Sequence, residues 1–159
     1  MTLLQPGDQF PTIVVPRAGG GELRLPDAVA GQFGVVLFNR GSWCPYCNAQ
    51  LAAFQRALPR LTDVGATVVS LSADDEDAAQ SVIAKHGLAF PVGYGADPAT
   101  VAAATGAFVN KDPAFLQSTG FVLDPTGRVV VSVYSSGAIG RLTADDVVGL
   151  ITYLQSHQS

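Results

Sequence analysis

An α/β fold, with a mixed central sheet flanked by helices and a β-hairpin added at the N-terminus, is what this sequence of 159 residues predicts. Three observations carry the prediction. Val35-Val36-Leu37-Phe38 and Thr67 to Ser72 are continuous apolar runs of the kind that suit strands covered on both faces in a largely parallel sheet. Each is followed by a stretch whose apolar residues recur at helical spacing. Further on, Phe121-Val122-Leu123, Asp124-Pro125-Thr126-Gly127 and Val129 to Tyr134 read as strand, tight turn and strand, an antiparallel pair. A parallel half and an antiparallel half flanked by helices together imply a mixed sheet with helices on both faces.

Taken in order, Phe10 to Val15 alternates loosely, and Glu22 to Leu25 follows the triplet Gly19-Gly20-Gly21, so the two are expected to form the hairpin. After the Val35 to Phe38 strand, a helix is expected to open at Cys44. Its apolar positions Cys47, Leu51, Phe54, Leu58 and Leu61 fall on one stripe, and Pro59 should kink or end it. Ser72 begins an S-x-x-D cap ahead of a helix from Asp75 to His86. The acids Asp74-Asp75-Glu76-Asp77 are read as solvated charges favouring that helix's N-terminus, with no chemistry assigned. Phe90 to Gly93 is a short strand and Pro98 to Thr105 a short helix. Thr143-Ala144-Asp145-Asp146 caps a last helix bearing Val147, Leu150, Ile151 and Leu154. No repeat or linker interrupts the chain, and its length suits one domain, 1–159.

Composition narrows the function. With 48% hydrophobic and 14% charged residues the chain can bury a core and lacks the signature of disorder. A net charge of -4 with no basic cluster argues against nucleic acid. No apolar run approaches the roughly 18 residues of a membrane span, and residues 1–6 lack the features of a signal peptide, so a soluble cytoplasmic protein is expected.

There are two cysteines, Cys44 and Cys47, in Arg40-Gly41-Ser42-Trp43-Cys44-Pro45-Tyr46-Cys47. Two cannot build a disulfide framework, and a close pair in a reducing compartment is catalytic or metal-binding more often than structural. Zinc would need His86 and His157 as further ligands, and their spacing fits no usual finger; each also has a plain role near a helix end. Neither metal nor cofactor is assigned. At the first turn of a helix, unpaired N–H groups and the dipole favour a thiolate over a thiol. The pair therefore reads as a redox dithiol.

Strand, Trp-Cys-x-x-Cys and helix resemble thioredoxin and its relatives. The rest of the chain more closely resembles peroxiredoxins of the alkyl hydroperoxide reductase and thiol-specific antioxidant family: Pro6-Gly7-Asp8-Gln9-Phe10-Pro11, the central helix, Phe121 to Gly127, and Gly140-Arg141. The resemblance implies a thioredoxin-like fold. It also assigns the two sulfurs in conflicting ways. Read as thioredoxin, Cys44 attacks and Cys47 resolves. Laid on the peroxiredoxin pattern Pro-x-x-x-Thr-x-x-Cys, Arg40 stands for proline, Cys44 for threonine, and Cys47 takes the peroxide-attacking position. The arginine that peroxiredoxins carry before the later Phe falls on Ser118, and no proline between Phe115 and Gly120 matches that of thioredoxin. Arg141 does match a peroxiredoxin arginine near the thiol.

Peroxide reduction needs a thiolate, a donor to polarise the O–O bond and a second thiol to trap the sulfenic acid. Cys44 and Cys47 are the candidate thiols, and Arg40 and Arg141 the candidate cations. Cys44 is favoured as the first nucleophile, because Cys47 lies on the apolar stripe, where burial raises a thiol pKa. Trp43 would shield the thiol or shape a docking surface. The expected activity is hydroperoxide reduction through a Cys44/Cys47 dithiol–disulfide cycle restored by an external dithiol such as thioredoxin. The alternatives are protein thiol–disulfide exchange and a redox-inactive binding module. A homodimer follows from the resemblance alone.

Overall fold

The computed structural model describes residues 2–157. Met1, part of the stretch read for a signal peptide, and the last two residues of the 1–159 domain lie outside the described residues. A five-stranded sheet in the order β5-β4-β3-β8-β9 forms the centre. Its parallel half is β3 (Phe33–Phe38), β4 (Ala66–Leu71) and β5 (Val92–Gly93); β8 (Thr119–Leu123) runs antiparallel to β3, and β9 (Val129–Tyr134) antiparallel to β8. All six residues of β3 are buried, as a strand covered on both faces requires.

Alternation along β3 splits the core in two. Val35 and Leu37 face Leu51 and Phe54 of α1 (Pro45–Arg56), Leu61 of α2 (Leu58–Asp63), Val82 of α3 (Glu76–His86), and Val147 and Ile151 of α5 (Ala144–Ser156). Val36 and Phe38 face the other way. They pack with Phe10, with the hairpin β1 (Ile13–Pro16) and β2 (Glu22–Leu25), and with Val101 of α4 (Pro98–Thr105) and Phe121. The Phe121 ring meets Phe10, Phe38 and Tyr134 edge-on at 5.1, 5.5 and 5.7 Å.

Most expected elements are present, within a residue or two of their expected bounds. Pro98–Thr105 and Val129–Tyr134 coincide with expectation, whereas Phe10 precedes the first strand and packs as a core side chain. The long helix divides at Ala57, with Pro59 in the first turn of the second piece, where its missing N–H costs nothing. Thr143 caps α5 as expected, accepting from the Asp146 N–H at 3.2 Å. Ser72 does not cap α3. Asp75 does, accepting from Ala78 N–H at 2.9 Å, while the Ser72 hydroxyl accepts from Asp74 N–H at 3.2 Å and shapes the turn before it. The two acceptors compete within one acidic stretch, and the residue adjoining the helix wins. Gly87 ends α3 in the left-handed region that favours glycine. A small hairpin, β6 (Val109–Lys111) with β7 (Ala114–Leu116), had no sequence signal strong enough to predict it. No helix among the described residues is long and apolar enough to cross a membrane.

Candidate active site

The site gathers at one end of the sheet. Phe38, the last residue of β3, is paired with Leu71 at the end of β4 and with Thr119 at the start of β8, which itself pairs with Tyr134 at the end of β9. The connections leaving or entering these strands therefore meet at the carboxyl edge of the parallel strands, where open α/β sheets bind ligands.

Asn39 N–H continues the ladder to Leu71 C=O at 2.9 Å, and the chain then turns through Gly41 and Ser42 into α1. Three contacts pin this turn. Ser42 N–H donates to Asp74 Oδ2 at 2.9 Å, and Asn48 Nδ2 donates to the Ser42 and Cys44 carbonyls at 2.9 and 3.0 Å. The Asn48 side-chain oxygen meets His86 Nε2 at 3.0 Å, tying α3 to the same turn. Gly41 leaves room for the Trp43 indole, since a methyl group there would displace the ring.

Cys44 is the N-cap of α1. Its backbone is extended, Pro45 follows in the first turn, and its Sγ accepts from the Cys47 N–H at 3.3 Å. A capping oxygen is thus replaced by sulfur, and the helix end favours negative charge on it. Arg40 Nη1 and Arg141 Nη2 each approach Cys44 Sγ to 3.7 Å. Cys47 Sγ accepts from Arg40 N–H at 3.3 Å and from Arg141 Nη2 at 3.0 Å. Both cysteines are free and adjoin each other across the first turn of α1, where the Cys47 N–H meets Cys44 Sγ.

Burial works to raise the Cys44 thiol pKa. Hydrogen bonds from the Cys47 thiol and N–H and from Arg40, with the charge of Arg141, outweigh it, so the pKa lies below its ordinary value. For Cys47 the balance reverses. Burial, and the cost of losing the proton it donates to Cys44, hold its pKa above the ordinary value in spite of the Arg40 N–H and Arg141. Protein disturbs one sulfur in each direction.

The arginines are held by uncharged groups. Arg141 Nε donates to Ala138 C=O at 2.6 Å and Nη1 to Gln50 Oε1 at 2.7 Å, while Gln50 Nε2 donates to Leu142 C=O at 3.0 Å. Arg40 Nε donates to Gln117 Oε1 at 2.9 Å, and its guanidinium lies 5.1 and 5.2 Å from the ring centres of Trp43 and Phe115. Trp43 is 55% exposed and meets Phe115 edge-on at 4.9 Å.

All five expected site residues, Arg40, Trp43, Cys44, Cys47 and Arg141, thus converge. Four further residues, not expected from the sequence, hold the site in place. Gln50 lies three residues after Cys47 on the same helix face, so a polar residue interrupting an apolar stripe was its signal. Asp74, read as a solvated helix acid, is half-buried and holds the turn; its place just beyond a strand parallel to the one leading into the cysteines was a signal available in advance. Asn48 is explained by nothing but contacts. Gln117 likewise had no signal. Tyr46 is 55% exposed and touches neither sulfur within hydrogen-bonding distance.

A dithiol at the mouth of a helix, on a mixed sheet with helices on both faces, defines a thiol-dependent oxidoreductase of thioredoxin-like fold. Residues 6–132 match the model of the AhpC/TSA family, and the chain belongs to that family. Among curated relatives, "Putative peroxiredoxin Rv2521" of Mycobacterium tuberculosis is 31% identical over 147 residues, covering 89% of this chain and 92% of the relative. The protein named thiol-disulfide oxidoreductase ResA of Bacillus anthracis is 27% identical over 150 residues, covering 93% and 78%. Among solved structures, AhpC of Mycobacterium tuberculosis superposes with a TM-score of 0.82 at 23% identity over 99% of this chain and 96% of that one, a likeness of fold.

Proposed function

We propose that the protein reduces hydroperoxides, with Cys44 as the attacking thiolate and Cys47 as the resolving thiol. The observation that carries this reading is the set of donors around Cys44 Sγ: the Cys47 N–H at 3.3 Å and the Arg40 and Arg141 guanidinium groups at 3.7 Å each. The thiolate attacks the terminal oxygen of the peroxide, an S–O bond forms, the O–O bond breaks, and the departing alkoxide takes a proton to leave as alcohol. Arg40 and Arg141 stabilise the charge that shifts onto oxygen. Once Cys44 is a neutral sulfenic acid, Cys47 no longer donates to an anion, and Arg141 at 3.0 Å favours its deprotonation. Cys47 sulfur then attacks Cys44 sulfur, hydroxide departs and is protonated to water, and a disulfide remains. An external dithiol, of thioredoxin type by resemblance, returns the two electrons.

Cys44 is 0% and Cys47 1% exposed, so covering side chains must move before either reacts, and the movement needed is smaller for a small oxidant than for a folded protein disulfide. Protein disulfide exchange is the second reading. It is supported by the Trp-Cys-x-x-Cys sequence, the exposed rings of Trp43 and Tyr46 beside it, and relatives bearing a thiol-disulfide oxidoreductase name. Trp43 is then the first surface a partner protein meets. We extend the proposal to one domain over 1–159, a reducing cytoplasmic setting and a homodimer, the last supported by family resemblance alone.

Stopped-flow mixing of the reduced protein with hydrogen peroxide and with a model protein disulfide decides between the two. Peroxide consumption far faster than by free cysteine is expected. A rate equal to that of free cysteine overturns the first reading, and rapid reduction of the protein disulfide alongside it establishes the second.

A further inference from the structure

We propose that Gln117 is a positioning residue that sets the acidity of Cys44 by holding Arg40 beside it as an uncompensated cation. The inference rests on the reading of Cys44 as the acidic thiol. Arginine presents its N–H groups in a rigid plane, so fixing one edge fixes the direction of the rest. Gln117 Oε1 takes Nε at 2.9 Å, and Nη1 is thereby aimed at Cys44 Sγ, 3.7 Å away.

The segment after β7 is built for this. Gln117 is 8% exposed; its backbone N–H donates to Phe108 C=O at 2.9 Å and its backbone C=O accepts from the Thr119 hydroxyl at 3.1 Å, so its backbone is held on both sides. Phe115, two residues earlier and so on the same face of the extended chain, lies against the same guanidinium. An amide oxygen orients the cation without cancelling its charge, which a carboxylate at that place would do. Among the described residues, the ion pairs are Arg24 with Glu22 and Arg60 with Asp145, and neither arginine at the sulfurs takes part in one.

The test is the pH profile of Cys44 alkylation, in full-length reduced protein carrying Cys47→Ser so that the label reports one thiol. Gln117→Leu frees Arg40 and is expected to slow labelling at neutral pH several-fold and move the profile upward. Gln117→Glu keeps the shape of the side chain, adds the cancelling charge, and is expected to move it further, labelling slowing about tenfold for each unit of pKa. Added to Arg40→Met, Gln117→Leu should move nothing more. Unchanged profiles in both Gln117 variants overturn the proposal, as does an equal shift with and without Arg40. Labelling needs no turnover, so a protein inactive towards peroxide and disulfide would sink the functional reading and leave this measurement intact.

Discussion

Cys44 lies at the mouth of α1 and Cys47 one turn inward, and these two places give sulfur different surroundings although both are covered. Burial raises each thiol, and the outcome is decided by which donors oppose it. Cys44 gathers the helix N–H, the Cys47 thiol and two guanidinium groups, and its proton is lost easily; Cys47 gives up a hydrogen bond on ionising, and its proton is retained. Asp74 makes a third case. Burial raises its carboxyl pKa, and hydrogen bonds from Ser72 and Ser42 with no cation beside them do not reverse the shift. Arginine alone does not decide the outcome, since Arg141 lies nearer Cys47 than Cys44; a covered acid becomes acidic here where several donors converge on its anion.

The comparison breaks most decisively on the sulfurs. Cys44→Ser is expected to abolish both peroxide and disulfide turnover, a loss on the order of 10³-fold or more as for other removed nucleophiles. Cys47→Ser should still consume about one equivalent of peroxide and stop at a Cys44 sulfenic acid, which dimedone traps. If Cys47→Ser is the variant that fails to react with peroxide, the two sulfurs exchange roles.

Arg141 separates the two sulfurs next. Arg141→Met removes a donor shared by both, and a loss of about 10²-fold in peroxide rate is expected, the scale of a deleted transition-state donor. Arg40→Met should cost less at the resolving step, because its backbone N–H, which serves Cys47, survives the substitution. Equal losses in resolution for the two variants would mean that charge at Cys47 matters no more than charge at Cys44.

A smaller effect appears in the pH dependence of each thiol on its own. Alkylation of Cys44 in Cys47→Ser should rise with a midpoint below the ordinary cysteine value, and alkylation of Cys47 in Cys44→Ser with a midpoint above it. Coincident midpoints would show that burial alone governs both.

The sequence makes some of this arrangement legible and conceals the rest for a physical reason. The strand before the cysteines, the stripe carrying Cys47 through Leu61 and the Thr143 cap all express local period or local hydrogen bonding, which neighbouring residues determine. Arg141 could be anticipated by resemblance, and Arg40 by its place in the turn before Cys44. Gln117 could not be read from its surroundings, because what gives it a role is a contact 77 residues away; Asp74, whose contact lies 32 residues away, was marked only by its place just beyond a parallel strand. The β6–β7 hairpin is missed for a related reason: its strands are three residues each, half-exposed, and made stable by what they pack against.

Asp74 supplies the smallest test, on a covered acid whose neighbouring charge is the Asp75 carboxylate rather than a cation. Its carboxyl binds a proton more tightly in the folded protein than in the unfolded chain, so the stability it contributes is fully present below the ordinary carboxylate pKa and is lost as pH rises through the folded value. Wild-type protein should therefore lose stability across that window, and Asp74→Asn should remove that loss. The amide oxygen still accepts from Ser42 N–H, so the turn into Cys44 is expected to persist and peroxide rates to change little. Urea midpoints measured from roughly pH 3 to 7 for the two proteins give the answer. Parallel curves would mean that water reaches the Asp74 carboxylate freely, and the contrast with Cys44 would then reflect exposure rather than the absence of arginine.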